Sequence, residues 1–388
     1  MFHVFSGLIC IYIVCRLIPA LPWSLASKCA VALAMLLVSQ VHLFNRIFSG
    51  NLASPELPFG VVAGMGWLFG ALVLLGIFLL LKDLGVFLLF VLGKLMGTRL
   101  LLPVPVAWWG GTLTAMAIGL SAIGVWQAVR VPDVREVDVV LDRLPAELDG
   151  LRLVQLSDLH ASRLLHGAWQ REVVNKVNAL DPDLILITGD LVDGTPTNRA
   201  NDVAPFADLK GRLGVLAIPG NHEYYSNHTA WMAAFDRLGL RVLNNQHALI
   251  EDRGRTLVVA GTTDRNAARF GLPTPDIAAA LAGAPKGAAV ILLAHQPRDA
   301  AKNAEAGVDL QLSGHTHGGQ VVGLHLIVRR ANEGFVSGIY RVGSMWLYVS
   351  NGTGLWNGFP IRIGRPSEIT LITLHSANAP VRDRESAG

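Results

Sequence analysis

Charged residues are scarce in this sequence, and the scarcity is uneven. Only 16% of the 388 residues are Asp, Glu, Lys or Arg, whereas ordinary soluble chains carry about 25%. Residues 1–130 contain seven Lys/Arg and two Asp/Glu, whereas residues 131–388 contain 25 and 27. A wholly soluble protein is therefore excluded. Because 52% of the residues are hydrophobic, intrinsic disorder as the dominant state is excluded as well.

Cysteine is almost absent. Cys10, Cys15 and Cys29 all lie in the first third, and residues 131–388 contain none. This distribution excludes a disulfide framework and a thiolate metal site. The formal charge is +5 for residues 1–130 and −2 for the remainder. The near-neutral remainder has no basic stripe, so nucleic acid is not expected as a partner.

The apolar first third predicts a membrane region. A helix of about 20 apolar residues spans a bilayer, and we predict about four such spans in residues 1–130, near Phe2–Pro22, Cys29–Phe48, Gly66–Leu92 and Val104–Val129. The third could be one tilted helix or two short segments, because Lys82 and Asp83 interrupt it. The first could instead be a signal peptide, although it has no basic start and no clear cleavage site. A catalytic domain is predicted over residues 131–376 and a C-terminal tail over residues 377–388.

Basic residues beside the spans bear on orientation. With four spans, one side of the membrane carries Arg16, Lys28, Lys94 and Arg99, and the side of the soluble domain carries Arg46, Arg130 and Arg135. The positive-inside rule then favours a soluble domain outside the cytoplasm. A five-span arrangement would reverse this orientation.

Polar residues inside the spans raise the alternative of a transporter, because charges in a bilayer are costly and often functional. We favour a structural role for them. Lys82 and Asp83 are adjacent and can form a short break at the interface. His42 needs only one hydrogen-bond partner.

After Pro132, short apolar runs alternate with helical segments, which predicts an α/β domain with helices on the faces of a sheet. The runs predicted as strands are Leu153–Leu156, Leu184–Ile187, Val215–Ile218, Leu257–Ala260, Val290–Leu293, Leu310–Leu312, Leu347–Val349 and Ile369–Leu374. Ligands in such folds gather at the carboxyl ends of strands. Five runs end in polar residues of the kinds that bind metals, at Asp158-x-His160, Gly189-Asp190-x-x-Asp193, Gly220-Asn221-His222-Glu223, His295 and Gly314-His315-x-His317.

These residue types favour a pair of metal ions. Asp158 and His160, if extended, would project to one face because a strand has a period of two, and the same holds for His315 and His317. A mixed set of carboxylate, imidazole and amide ligands suits Mn, Fe or Zn ions, with Mg less favoured. Seven candidate ligands exceed what one tetrahedral ion can use. Two ions about 3.5–4 Å apart can clamp the attacking and leaving oxygens of phosphoryl displacement.

The ordered set of motifs resembles the calcineurin-like metallophosphoesterase superfamily, over about residues 133–375. Its Gly-His-Thr-His-Gly-Gly-Gln run and the later Asn351-Gly352-Thr353-Gly354 resemble the bacterial membrane-associated branch. The resemblance implies a metallophosphoesterase-type β-sandwich flanked by helices (α/β/β/α), preceded by the helical transmembrane region. It also implies a multi-pass protein of the bacterial inner membrane.

The resemblance further implies roles for the matching residues. Asp190 would bridge the two metals, and a hydroxide between the ions would attack phosphorus. His222 would protonate the leaving oxygen or stabilise the transition state, and Asp193 would orient it, although Asp193 could instead brace its loop. The first metal would be bound by Asp158, His160 and His317, and the second by Asn221, His295 and His315.

Two departures narrow the expected substrate. Asp193 is followed by Gly194 and Thr195 rather than Arg-Gly, which disfavours protein phosphatase activity. One subgroup of hydrolases in the lipid A pathway carries Asn-Arg-Asp where this chain has Asn221-His222-Glu223. Close identity with that subgroup is therefore disfavoured as well. We therefore expect a membrane-anchored hydrolase of phosphate ester or pyrophosphate bonds, with a phosphorylated small-molecule or lipid-linked substrate. The alternative is a membrane protein that binds a metal and a phosphorylated ligand without turnover.

Overall fold

A computed structural model describes residues 2–50, 54–98 and 106–379, and these residues form two compact units. The first unit comprises residues 1–128 together with Asn357–Ile363, and the second comprises the rest of the chain. The predicted C-terminal tail lies outside the described residues beyond residue 379, as does Arg99. The predicted boundary between residues 130 and 131 stays a prediction.

The first unit contains five helices, α1 Phe2–Leu17, α2 Leu25–Ser39, α3 Val41–Ser49, α4 Phe59–Leu95 and α5 Val106–Val129. Three helical stretches, His3–Ala20, Phe59–Leu95 and Trp109–Val129, are long and apolar enough to cross a membrane. A bend of 57° separates α2 from α3, and this bent pair would make a fourth span if it crosses as one. Among the described residues the count is therefore three, or up to four.

Of the two alternatives for the third span, the structure shows the single helix, because α4 runs through Lys82 and Asp83 over 37 positions. The Asp83 carboxylate accepts hydrogen bonds from Arg16 (2.6 Å) and from the Tyr12 hydroxyl (2.8 Å). It also lies 2.8 Å from the Lys82 ammonium. These partners satisfy the carboxylate locally, so the helix has no need to break there.

The segment Asn357–Ile363 explains the polar residue in α3. The Nε2 atom of His42 lies 2.6 Å from the Gly358 carbonyl oxygen, and its ring is in edge contact with Phe69 of α4. A Cβ atom at Gly66 would lie 2.3 Å from Pro360, so α4 needs its glycine for this close packing. His42 therefore has the single hydrogen-bond partner that the structural interpretation requires.

The second unit is a sandwich of two six-stranded sheets. The first sheet has the order β1-β12-β2-β3-β4-β5 and the second β10-β11-β9-β8-β7-β6. Their strands are β1 Asp133–Leu141, β2 Leu151–Leu156, β3 Leu184–Ile187, β4 Val215–Ala217, β5 Arg241–Val242, β6 Gln246–Asp252, β7 Arg255–Gly261, β8 Ala289–Leu293, β9 Leu310–Ser313, β10 Gly338–Val342, β11 Met345–Val349 and β12 Glu368–Ser376.

The core lies between the sheets. Leu153, Leu186 and Leu216 of the first sheet share one buried cluster with Val259, Ile291 and Leu312 of the second. Val258, Val290 and Leu292 alternate with these residues along β7 and β8 and point to the other face of the second sheet. They form a second buried cluster together with residues of helices. The helices of this unit are α6 Gly167–Asn178, α7 Pro196–Val203, α8 Asn221–Tyr225, α9 His228–Arg237, α10 Ile277–Ala280, α11 Ala300–Glu305 and α12 His325–Ala331.

This architecture is the expected sandwich with flanking helices. The strands β2, β3 and β4 are parallel neighbours, as are β7, β8 and β9. Parallel neighbours bring their carboxyl ends to one edge of the sheet. The loops that carry the polar motifs therefore meet at that edge.

Candidate metal centre

The seven candidate ligands converge in two groups. The ligand atoms of Asp158, His160 and His317 lie within 4.8 Å of one another, and so do those of Asp190, His295 and His315. Asn221 belongs beside the second group, since its Oδ1 lies 3.2 Å from His295 Nε2. The structure thus brings together every residue for which the sequence predicted a metal-binding role. The assignment of each side chain as a ligand stays a prediction.

Asp190 lies between the two groups. Its Oδ2 atom is 3.1 Å from His295 Nε2 and 3.8 Å from His160 Nε2. Burial would raise the pKa of Asp190, but His295, His222 and His160 outweigh burial and hold it well below the usual range. An ionised carboxylate in this position can be shared by two cations.

The backbone of the ligand loops is not extended. Five candidate ligands have positive φ, namely Asp158 (54°), His160 (43°), Asp190 (55°), His315 (69°) and His317 (49°). This conformation costs on the order of 1–3 kcal/mol per residue and clusters at functional sites. The expectation that Asp-x-His and His-x-His share a face by strand alternation is therefore wrong. Left-handed turns just beyond β2 and β9 bring these side chains together instead.

Backbone N–H groups hold the two carboxylates in place. His315 N donates to both oxygens of Asp158 (3.2 and 3.0 Å), and His222 N donates to Asp190 Oδ1 (2.8 Å). The Ser157 hydroxyl donates to Asp158 Oδ2 at 2.6 Å. Sequence reasoning overlooked Ser157, which directly precedes Asp158. These bonds orient each carboxylate before any cation binds.

The imidazoles are suited to metal binding. Nδ1 of His295 donates to the Thr188 carbonyl at 2.8 Å, and Nε2 lies 3.1 Å from Asp190 Oδ2, on the side where a cation would bind. Nε2 of His160 is fully buried and makes no hydrogen bond to any described residue. A buried polar atom without a partner is costly unless something else satisfies it. The imidazole and carboxylate groups gathered here are ligands that divalent cations accept, and a bound cation would satisfy Nε2 of His160.

His222 lies beside this centre and pairs with Asp193. The distance from His222 Nδ1 to Asp193 Oδ1 is 2.5 Å, and His222 Nε2 lies 3.9 Å from Asp190 Oδ2. Burial would lower the pKa of His222, but the carboxylates of Asp190 and Asp193 outweigh it and raise the pKa to about 9. His222 is thus a cation at neutral pH, and Asp193 stabilises that charge.

Asp193 has a second partner that the sequence did not reveal. Its Oδ1 atom also lies 3.3 Å from Nδ1 of His160, a candidate metal ligand. Burial would raise the pKa of Asp193, but His160 and His222 hold it below the usual range. One carboxylate therefore orients two imidazoles. His160, Asp193 and His222 also lie close enough together to hold an ion themselves. His222 can therefore be interpreted either as a proton donor or as a metal ligand.

Two further contacts complete the centre. Glu223 is fully buried and accepts hydrogen bonds from the backbone N–H groups of Gly220 (2.7 Å), Asp190 (3.1 Å) and Leu191 (2.8 Å). It therefore connects the loop after β3 to α8. The Asn351–Gly354 turn reaches the centre as well, since a Cβ atom at Gly352 would lie 3.2 Å from His317 Nδ1.

Comparison with known proteins places the second unit among phosphoesterases. The family model for calcineurin-like phosphoesterases matches residues 151–319. A transmembrane protein with a metallophosphoesterase domain from Danio rerio is 36% identical over 68% of this chain and 63% of its own length. A protein of the same description from Bos taurus is 35% identical over 66% of this chain and 60% of its own length.

A bacterial relative is matched over the same share of both chains. An uncharacterized metallophosphoesterase of Campylobacter jejuni is 34% identical over 68% of this chain and 68% of its own length. The chain thus spans less than two thirds of the two animal relatives and slightly more than two thirds of the bacterial one. With the match of the family model, this similarity establishes that the chain belongs to the calcineurin-like phosphoesterase family.

Proposed function

We propose that this protein is a membrane-anchored phosphoric ester hydrolase that depends on two divalent metal ions. The observation that carries the proposal is the convergence of two buried ligand groups on the Asp190 carboxylate, with the His222–Asp193 pair beside them. Mn, Fe and Zn ions suit the mixed carboxylate and imidazole set, with Mg less favoured. Manganese is the ion we would supply first.

The chain's residues divide the work of binding the cations. Asp190 would be shared, Asp158, His160 and His317 would hold the first ion, and Asn221, His295 and His315 would hold the second. When bound, the two cations activate the attacking water and neutralise the phosphoryl oxygens. The backbone N–H groups that already orient Asp158 and Asp190 reduce the reorganisation needed on binding.

His222 acts on the leaving group. Its proton on Nδ1 is held by Asp193, which leaves the proton on Nε2 for transfer to the leaving oxygen. The pKa of about 9 keeps His222 protonated at neutral pH, so it stabilises the negative charge of the phosphoryl group before it gives up the proton. A positioned acid is not needed merely to bind a phosphorylated ligand. This favours hydrolysis over the non-catalytic alternative.

The membrane region favours a substrate in or on the bilayer. Helices of spanning length in the same chain would keep the catalytic unit near lipid headgroups. We therefore propose a phosphate ester or pyrophosphate substrate linked to lipid or to the cell envelope. We further propose a multi-pass protein of a bacterial inner membrane, with the catalytic unit outside the cytoplasm.

The test compares Asp190→Asn with Asp183→Asn in purified full-length protein. Asp183 lies at the other end of β3 and binds Arg152 N and Arg212, so it is a matched control. Metal-stripped protein is resupplied with Mn²⁺, Zn²⁺, Fe²⁺ or Mg²⁺, and both metal content and hydrolysis of p-nitrophenyl phosphate and bis-p-nitrophenyl phosphate are measured.

We expect about two ions per chain and metal-dependent hydrolysis in the wild type and in Asp183→Asn. Asp190→Asn should lose activity and retain less of both metals. Normal activity in Asp190→Asn would overturn the bridging role. A wild type that binds no metal would overturn the whole proposal.

A further inference from the structure

One short helix of the catalytic unit exposes an apolar face. None of the seven residues of α12 is buried. Leu326 and Ile327 are 61% and 69% exposed, and the nearby Val322 is 60% exposed. Burial of a large aliphatic side chain contributes about 1.5–3 kcal/mol. Three such side chains left exposed within six positions of the sequence therefore indicate a surface that something covers.

Basic residues lie on the same helix. At 100° per residue, Leu326, Ile327 and Arg330 fall on one face of α12. Arg329 is also exposed, and its Nε donates to the Gly334 carbonyl at 3.0 Å, which fixes the guanidinium at the end of the helix. Aliphatic side chains beside arginines are typical of a helix that lies in the membrane interface.

The helix packs against a turn that carries a candidate ligand. A Cβ atom at Gly319 would lie 2.4 Å from His325 Cα, so the turn that carries His317 packs against the first residue of α12. Whatever α12 contacts is therefore held near the candidate ligands.

The residue before Val322 pairs with a distant part of the sequence. Val321 forms a β-bridge with Gly364, and a Cβ atom at Gly364 would lie 2.6 Å from a methyl group of Val322. In the sequence, Gly364 directly follows the segment Asn357–Ile363, which belongs to the same compact unit as the span-length helices. Val321 is thus paired with the residue that follows this segment in the sequence.

We infer that Val322, Leu326 and Ile327 insert into the surface of the bilayer in which the protein is anchored, and that Arg329 and Arg330 bind the phosphates of anionic lipid headgroups. The catalytic unit is then docked on the membrane by its own surface as well as by the helical spans. The docked surface adjoins the turn that carries His317.

The test measures the depth of single labels in the full-length protein. Cys10, Cys15 and Cys29 are replaced by Ser, and Leu326→Cys or Ile327→Cys is labelled with an environment-sensitive fluorophore in proteoliposomes. Leu249→Cys is the matched control, because Leu249 is an aliphatic residue of β6, 45% exposed and two positions from the acidic Glu251. Quenching is measured with a shallow nitroxide lipid and, separately, with aqueous iodide.

Labels at residues 326 and 327 should lose about half of their fluorescence to the nitroxide and little to iodide, because interfacial helices lie ~5–10 Å deep. The label at residue 249 should show the reverse. Iodide quenching at residue 326 as strong as at residue 249 would overturn the proposal. Protection from both quenchers at residue 326 would overturn it too, since a protein partner would then cover the surface.

A second variant tests the charge. Arg330→Glu in the Leu326→Cys background should reduce nitroxide quenching in vesicles rich in phosphatidylglycerol, but not in phosphatidylcholine vesicles. One basic residue near an anionic surface contributes about 1 kcal/mol, or roughly a fivefold change in the docked population. Unchanged nitroxide quenching of Arg330→Glu in the phosphatidylglycerol vesicles would overturn the role of this arginine. None of these readouts requires activity, so the hydrolase proposal could fail while this one stands, or the reverse.

Discussion

Gly314 packs closely against Ser157 and Asp158, and a single methyl group there should disturb the metal centre. A Cβ atom at Gly314 would lie 1.9 Å from Ser157 Oγ and 2.3 Å from Asp158 Oδ2. Both neighbours are fully buried and are bonded to each other at 2.6 Å. Gly314→Ala can therefore be accommodated only by moving Asp158 or by breaking its bond to Ser157.

The expected cost follows from these contacts. Overpacking of a filled interior costs about 1–3 kcal/mol, and a lost hydrogen bond to a charged group costs about 1.5–3 kcal/mol. We expect a loss of about 3–5 kcal/mol in the free energy of unfolding of the catalytic unit. At about 2–4 °C per kcal/mol for a domain of this size, the melting temperature should fall by roughly 6–20 °C. Metal affinity should fall about 10–100-fold.

The assay is thermal unfolding of the detergent-solubilised protein, together with metal content. Gly119→Ala is the control, because a Cβ atom at Gly119 in α5 meets nothing within 4 Å. The double variant Gly314→Ala/Ser157→Ala should recover part of the loss, since it removes the closest contact. Wild-type melting and metal content in Gly314→Ala would refute the close approach of these two loops.

Three other perturbations test neighbouring features. His222→Ala should reduce turnover about 10²–10⁴-fold while the metal content stays unchanged. The control His228→Ala changes a ring stacked on Tyr224 and should leave turnover unchanged. Loss of metal in His222→Ala would make His222 a ligand. Arg199→Met should destabilise the protein by about 3–5 kcal/mol in denaturation, because Arg199 is fully buried and donates to Asp202 (3.0 Å) and to the Asp193 carbonyl (2.8 Å). A loss below about 1 kcal/mol, the value of an exposed pair, would contradict that account. Asp193→Asn should lower both kcat and metal affinity, because Asp193 contacts a candidate ligand and the candidate acid; an effect on only one would show that its two contacts are not both used.

Local patterns were informative wherever strand ends carry short motifs. The apolar run Leu184–Ile187 predicts a strand with the bounds of β3, and Val215–Ile218 predicts β4 to within one residue. The strands β1, β5, β6 and β10 were not predicted. Their burial patterns are mixed or they are very short, so no apolar run marks them. A strand of two residues such as β5 is specified by its neighbour rather than by its own sequence.

The partners of the polar residues in the spans could not be predicted from local sequence either. The sequence indicated that His42 needs one partner, and the structure supplies the Gly358 carbonyl, 316 positions away. No local pattern identifies Asn357–Ile363 as part of the first unit. Likewise, Asp83 lies in an uninterrupted helix because Arg16 and Tyr12 of another helix satisfy it.

The sequence by itself determined the family, the sandwich with flanking helices, the region of candidate membrane spans and the seven candidate metal ligands. These rest on residue types and on spacings within a few positions, which strand ends and span lengths constrain directly. Only the tertiary structure decided that left-handed turns rather than extended segments aim Asp158, His160, His315 and His317. It also decided that Asp193 serves two imidazoles and that the apolar face of α12 is exposed. Those properties depend on which loops meet at the edge of the sheets, and no single segment encodes such a meeting.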